Sequence, residues 1–216
     1  SNSGGNVNAI NGKLTVYGNG SGTGTGDVLN IDDTGDESVN TGALTSTGIT
    51  GLGMAGSITY GTLEELNVSL GSGGDSFTVS NTHGSATGGF EETTTLRSGG
   101  GNDIVTIDDV TDRLTVYGEA DSDTITVNGN SLGSNTILYG DGGSDVFNIR
   151  DISADTTVNG GDGSDTVNVG SNSLGTPGAP SSNSGGNVNA INGKLTVYGN
   201  GSDTGTGDVL NIDETG

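Results

Sequence analysis

Residues 160–168 read GGDGSDTVN, and an acid closing a Gly-rich run returns at 98–106 (SGGGNDIVT), 118–126 (GEADSDTIT) and 140–148 (GDGGSDVFN). Aligned on that acid, the steps through Asp103, Asp123, Asp145 and Asp165 are 20, 22 and 20 residues. Two residues after each acid stand Val105, Ile125, Phe147 and Val167, and four after stand Ile107, Val127, Ile149 and Val169. Thr106, Thr126, Asn148 and Asn168 alternate with them, the period-two pattern of a strand with one face inward.

The same phase extends to Asp27, Asp75 and Asp208, followed by Leu29 and Ile31, Phe77 and Val79, and Leu210 and Ile212. Seven residues before the acid come Val68, Leu96, Val116, Leu138 and Val158, which mark a second strand. Val110, Leu132, Ile152 and Leu174 read as a third inward position in the connecting loop. One acid, the same apolar residues and the same glycines at one phase of a 20-residue period are what stacked coils require. An all-β, parallel β-solenoid of the β-roll or β-helix kind is therefore expected, with coils of about 20–22 residues stacked about 4.8 Å apart. The Asn11–Gly12 pair carries the signal of a two-residue hairpin, the competing antiparallel architecture. Wider intervals, 48 residues from Asp27 to Asp75 and 43 from Asp165 to Asp208, are expected to hold one irregular coil each.

A longer repeat encloses the short one. Residues 1–35 return at 182–216 with two differences, Gly22 against Asp203 and Asp33 against Glu214. The offset is 181 residues, so 1–181 is one full long repeat and 182–216 opens the next, as in a piece of a tandem array.

Composition narrows the partners. The formal charge is -22, with 44 Gly, 2 Pro and no Cys or Trp. Five basic residues among 27 acids would be repelled by a phosphate backbone, so nucleic acid is excluded. No apolar run is long enough to insert in a membrane, and any secretory leader is expected outside this chain. Without cysteine there are no disulfides or thiolate metal sites, which leaves hard cations to balance the carboxylates.

Stacking places the acids in a column, where carboxylates about 5 Å apart repel by roughly 1 kcal/mol per pair in water. Candidate metal ligands are thus Asp75, Asp103, Asp123, Asp145 and Asp165, with Asp141 and Asp162 in the turns. The competing reading is structural, since Asp caps the amides of its own turn. GGDGSDTVN resembles the calcium-binding nonapeptide G-G-x-G-x-D-x-U-x of repeats-in-toxin (RTX) β-rolls, with Gly160, Gly161, Gly163, Asp165 and Val167 in the family's positions. The neighbours depart from it through Ser98, Asp141 and Leu70, and the motif comes once per coil rather than every nine residues. The resemblance implies bound Ca2+ along one edge, an extracellular or bacterial-surface setting, and a structural or adhesive role.

Other features read as structural. Arg97, Tyr117, Tyr139 and Asn159 form an outward row, either an aromatic strip for glycan or a stacking ladder. Outward Thr and Asn rows could order water as ice-binding faces do, although Thr is simply a good strand residue. His83 is expected on a mobile surface loop, and Arg113 beside Asp112 or Arg150 beside Asp151 fit a solvated coil edge better than a catalytic centre. No helix follows the G-x-G-x-x-G match in GSGTGTG, so dinucleotide binding is dismissed. Sequons at Asn19, Asn67 and Asn200 are weak in so Asn- and Ser-rich a chain. The expected function is a rod-like spacer or filament-forming unit of a large secreted or surface protein, not an enzyme. Neighbouring repeats are its partners, with end-to-end or lateral self-association; the alternative is an adhesive module binding glycan or ice.

Overall fold

The computed structural model describes residues 4–18, 26–84, 92–177, 185–201 and 207–216. The stretch 19–25 and the sequon at Asn19 fall outside them. The described chain is all-β, without a helix. Its strands are β1 (Lys13–Tyr17), β2 (Val28–Asp32), β3 (Thr41–Thr45), β4 (Gly48–Gly51), β5 (Ser57–Gly61), β6 (Glu65–Ser69), β7 (Ser76–Val79), β8 (Thr93–Arg97) and β9 (Ile104–Ile107). They continue as β10 (Arg113–Tyr117), β11 (Thr124–Val127), β12 (Asn135–Gly142), β13 (Val146–Ile149), β14 (Asp155–Asp162), β15 (Thr166–Val169), β16 (Leu195–Tyr198) and β17 (Val209–Ile212).

They form two sheets. One has ten strands in the order β1-β5-β4-β3-β7-β9-β11-β13-β15-β17, and the other seven in the order β16-β14-β12-β10-β8-β6-β2. From β6 onward the chain crosses from one sheet to the other at every strand; β6 pairs with β2 and β7 with β3, and from β8 onward each strand pairs in parallel with the strand two places back. The register keeps like residues level: Val105, Ile125, Phe147 and Val167 lie side by side, as do Ile107, Val127, Ile149 and Val169. These eight side chains are buried, and Leu96, Val116, Leu138 and Val158 meet them from the facing sheet. Each fully buried aliphatic side chain contributes about 1.5–3 kcal/mol relative to exposure.

The interval between Asp27 and Asp75 is filled differently from the expected irregular coil. β3, β4 and β5 form an antiparallel meander inside the ten-stranded sheet. Leu44, Ile49, Leu52 and Tyr60 from it are fully buried, and the Tyr60 hydroxyl donates to the Thr45 carbonyl at 2.5 Å. The Asn11–Gly12 signal makes no hairpin, because β1 pairs with β5 in parallel.

The third inward position is met only in part. Val110 and Ile152 are fully buried, whereas Leu132 is 84% exposed and Leu174 59% exposed. Asn130 and Ser134 are buried in the loop of Leu132, and Ser173 in that of Leu174. Asn130 earns its interior place with hydrogen bonds that Leu132 could not make: Oδ1 accepts from the N–H groups of Ser153 and Ala154, and Nδ2 donates to Thr156 Oγ1. His83 is also interior, 5% exposed, with Nδ1 3.0 Å from Thr94 Oγ1 and its ring edge-on to Tyr60. Burial holds its imidazole below the usual range. The expected mobile surface histidine is therefore a packed residue.

Candidate functional site

The turns between the seven-stranded and the ten-stranded sheet bring the predicted acids together. The backbone N–H of each acid donates to Oδ1 of the acid in the next coil: Asp75 to Asp103 at 2.6 Å, Asp103 to Asp123 and Asp123 to Asp145 at 2.8 Å, and Asp145 to Asp165 at 2.9 Å. Asn40 N–H donates to Asp75 at one end and Asp165 N–H to Asp208 at the other. The column thus runs unbroken from Asn40 to Asp208, and Asp75, Asp103, Asp123, Asp145 and Asp165 are all at most 2% exposed.

Two predicted ligands stand apart. Asp141 and Asp162 lie exposed at the C-terminal ends of β12 and β14. Asp141 has φ 66°, the left-handed conformation that Gly161 takes at the paired position with φ 101°. An acid can fill that glycine position because Asp tolerates positive φ better than most residues. Asp27 is absent from the column, although its sequence surroundings match those of Asp208. Its N–H donates to Glu64 Oε2 at 2.6 Å, and β2 pairs with β6 in the seven-stranded sheet.

The second carboxylate oxygen explains a glycine that turn geometry does not. Gly118, Gly140 and Gly160 stand five residues before Asp123, Asp145 and Asp165, and none has positive φ. Oδ2 of each acid occupies the space where a Cβ on that glycine would project. Oδ2 of Asp123 and the Gly140 carbonyl both lie within 2.7 Å of the point where a Cβ would stand on Gly118. In the first of these coils Ser98 takes the glycine's place and its hydroxyl donates to the Gly118 carbonyl at 2.9 Å. The signal was present in the sequence as Gly at a fixed distance before the acid, but it reads there as turn chemistry rather than as room for a carboxylate.

Buried Oδ2 atoms of Asp123 and Asp145 receive no hydrogen bond. Removal from water disfavours charge on Asp103, Asp123 and Asp145 and is the main cause of their raised pKa values, about 7, about 8 and about 7, against 3.8 in a free side chain. Neighbouring column carboxylates add to the rise. Calcium takes about six to eight oxygens at once. In the column one oxygen of each acid already accepts an amide N–H, and in Asp123, Asp145 and Asp165 the other is pressed against glycine. Among the described residues, no group of three or more acidic or histidine side chains converges on a point. The donor set does not fit a calcium ion.

The outer faces are partly closed. Residues 173–176 cross the ten-stranded sheet: Arg150 Nε donates to the Ser173 carbonyl at 2.8 Å and Asn148 Nδ2 to that of Gly175 at 3.1 Å. Beneath them Thr124, Thr126, Thr166, Asn148 and Asn168 are at most 8% exposed. Asn211, Asn168 and Asn148 form an amide ladder there, each Nδ2 donating to the next Oδ1 at 3.0–3.1 Å. On the other sheet Arg97 lies 4.2 Å over the Tyr117 ring, which stacks on Tyr139 at 4.9 Å. Arg97 also pairs with Glu119 at 3.0 Å. Comparison of the chain with family models, with curated proteins and with solved structures finds no match.

Proposed function

We propose that this chain is a segment of a parallel β-solenoid rod whose role is mechanical: a stiff, acidic spacer or filament-forming unit of a large secreted or surface protein. The observation that carries the reading is the aspartate column, a hydrogen-bonded spine linking every coil from Asn40 to Asp208. Such a spine holds consecutive coils at fixed spacing and resists their separation along the axis. The extracellular bacterial setting rests on the likeness of GGDGSDTVN to RTX arrays. A flat ligand-binding face fits less well, because the central Thr and Asn rows lie under residues 173–176. The Arg97–Tyr117–Tyr139 row remains the candidate for glycan contact, and its members satisfy one another by stacking and an ion pair.

Negative-stain electron microscopy and small-angle scattering test the reading. Rod-like particles without a hit on a glycan array support it. Globular particles, or a glycan hit abolished by Tyr117→Ala, overturn it.

A further inference from the structure

We propose that the coil built from β16 and β17 is the joint between successive long repeats, that it takes β5 and β6 of another copy of this chain on its free edge, and that the two sheets exchange roles at every joint. The inference rests on the rod reading and specifies how repeats meet.

The described parts of the two copies of the 35-residue segment make matching hydrogen bonds. Gly4 N–H donates to Thr34 Oγ1 and its twin Gly185 N–H to Thr215 Oγ1, both at 2.8 Å. Gly35 N–H donates to the Gly5 carbonyl at 2.7 Å and Gly216 N–H to that of Gly186 at 2.8 Å. Even the substituted position keeps its contact: Val7 N–H donates to Asp33 Oδ1 at 2.9 Å, Val188 N–H to Glu214 Oε2 at 3.1 Å.

Their neighbours differ. β1 lies in the ten-stranded sheet beside β5, but its twin β16 lies in the seven-stranded sheet beside β14. β2 lies beside β6 in the seven-stranded sheet, but its twin β17 lies beside β15 in the ten-stranded one. The chain crosses between sheets an odd number of times from β1 to β16, so the second copy arrives in the opposite sheet.

The copies also use opposite edges. The Gly12 carbonyl accepts from Ser57 N–H, whereas in the twin the next carbonyl along, that of Lys194, accepts from Thr156 N–H. Asp33 N–H donates to the Ser69 carbonyl, whereas Asp213, twin of the residue before it, donates to that of Val169. Successive backbone groups of a strand point to opposite edges. One coil therefore has both edges paired, each seen in one copy.

Among the described residues no strand pairs with the other edge of β16 and β17, which presents the apolar face that β5 and β6 cover in the first copy. Leu210 is 51% and Ile212 65% exposed, while Ile31, twin of Ile212, is 4% exposed. The observed registers place Leu195 against Ile58, Val197 against Tyr60, Leu210 against Leu66 and Ile212 against Val68 of the incoming copy. Apart from the second copy, one long repeat adds nine strands to one sheet and six to the other. Exchange at each joint evens this out over two repeats, so a rod that would curve within one repeat stays straight on average.

The chain has no cysteine, so Thr59→Cys and Thr196→Cys with a short bismaleimide report the joint cleanly. Thr15→Cys with Thr59→Cys in the full chain, an observed pair, is the positive control. Deleting residues 1–35 bares β5 and β6, and this shortened protein is expected to form head-to-tail polymers cross-linked between positions 59 and 196 of different copies, at least tenfold more than the full chain. A shortened protein that keeps its sheet circular dichroism and stays monomeric overturns the proposal. Should it not fold, the full chain with residues 36–216 appended after Gly216 replaces it. There Thr196→Cys in the first unit must link to Thr59→Cys in the appended one, and absence of the link overturns the proposal. A rod by scattering without that link retires the sheet exchange alone; two hinged particles retire the rod as well.

Discussion

The N–H of Asp123 donates to Oδ1 of Asp145 at 2.8 Å, while Oδ2 of Asp145 lies against the α-carbon of Gly140. One carboxyl thus does two things: it ties a coil to its neighbour, and it fills the room left by a missing side chain. Stability, pH response and tolerance to substitution all follow from that pairing.

The first consequence is pH dependence. Asp103, Asp123 and Asp145 have folded values of about 7, 8 and 7, above the 3.8 of the unfolded chain. The folded state binds more protons between those limits, so stability falls as pH rises from about 4 to about 8 and levels off beyond. Asp36 runs the other way: hydrogen bonds from Ser38, Asn8 and Asn40 hold it well below the usual range, and its contribution is lost as pH falls below about 4. Thermal melts are therefore expected to give a maximum near about pH 4–5 and a lower Tm at pH 8. A Tm that climbs from pH 5 to pH 8 would show that the column is ionised.

Substitution at Asp123 separates charge from hydrogen bonding. Asp123→Asn keeps the acceptor for Asp103 N–H and removes the titration, so it should raise stability at pH 8 and flatten the slope. Asp123→Ala leaves the buried Asp103 N–H without its acceptor and opens a void, costing about 1–3 kcal/mol for the unmet amide alone. Denaturant unfolding at pH 5 and pH 8 measures both; equal losses from the two variants at pH 8 would count against a protonated column.

The inward apolar positions and the register of the column from Asp75 to Asp208 were legible, because a period-two pattern at one phase of a 20-residue repeat leaves little freedom. What escaped depends on partners distant in sequence. Asp27 and Asp208 share their surroundings, yet only Asp208 joins the column, since the neighbouring strand decides which sheet a coil enters. Leu132 looked inward by hydrophobicity, but the loop buries Asn130 instead, whose amide oxygen and nitrogen are hydrogen-bonded to Ser153, Ala154 and Thr156. His83 lies in a Gly-rich stretch with no periodic neighbour, and its burial against Tyr60 and Thr94 follows from a meander that no short-range pattern announced.

The glycine cradle gives a graded series. A Cβ on Gly140 would land on Oδ2 of Asp145 and on the Gly160 carbonyl, with less room than on Gly118. Gly140→Ala is expected to cost about 1–3 kcal/mol by overpacking, and Gly118→Ala less. Chemical denaturation ranks them; tolerance of both would mean that the carboxyls have space to move.

Calcium provides the sharpest test of how the acids are used. With Oδ1 engaged by an amide and Oδ2 packed beside glycine, Asp123, Asp145 and Asp165 offer little to a cation that wants several oxygens at once. Melts at pH 7 in calcium and in a chelator are expected to coincide, apart from the small general screening that any salt gives so acidic a chain. A calcium-specific rise in Tm, absent with sodium at equal ionic strength and lost in Asp145→Asn, would instead mean that the carboxyls turn outward toward Asp141 and Asp162 to hold an ion.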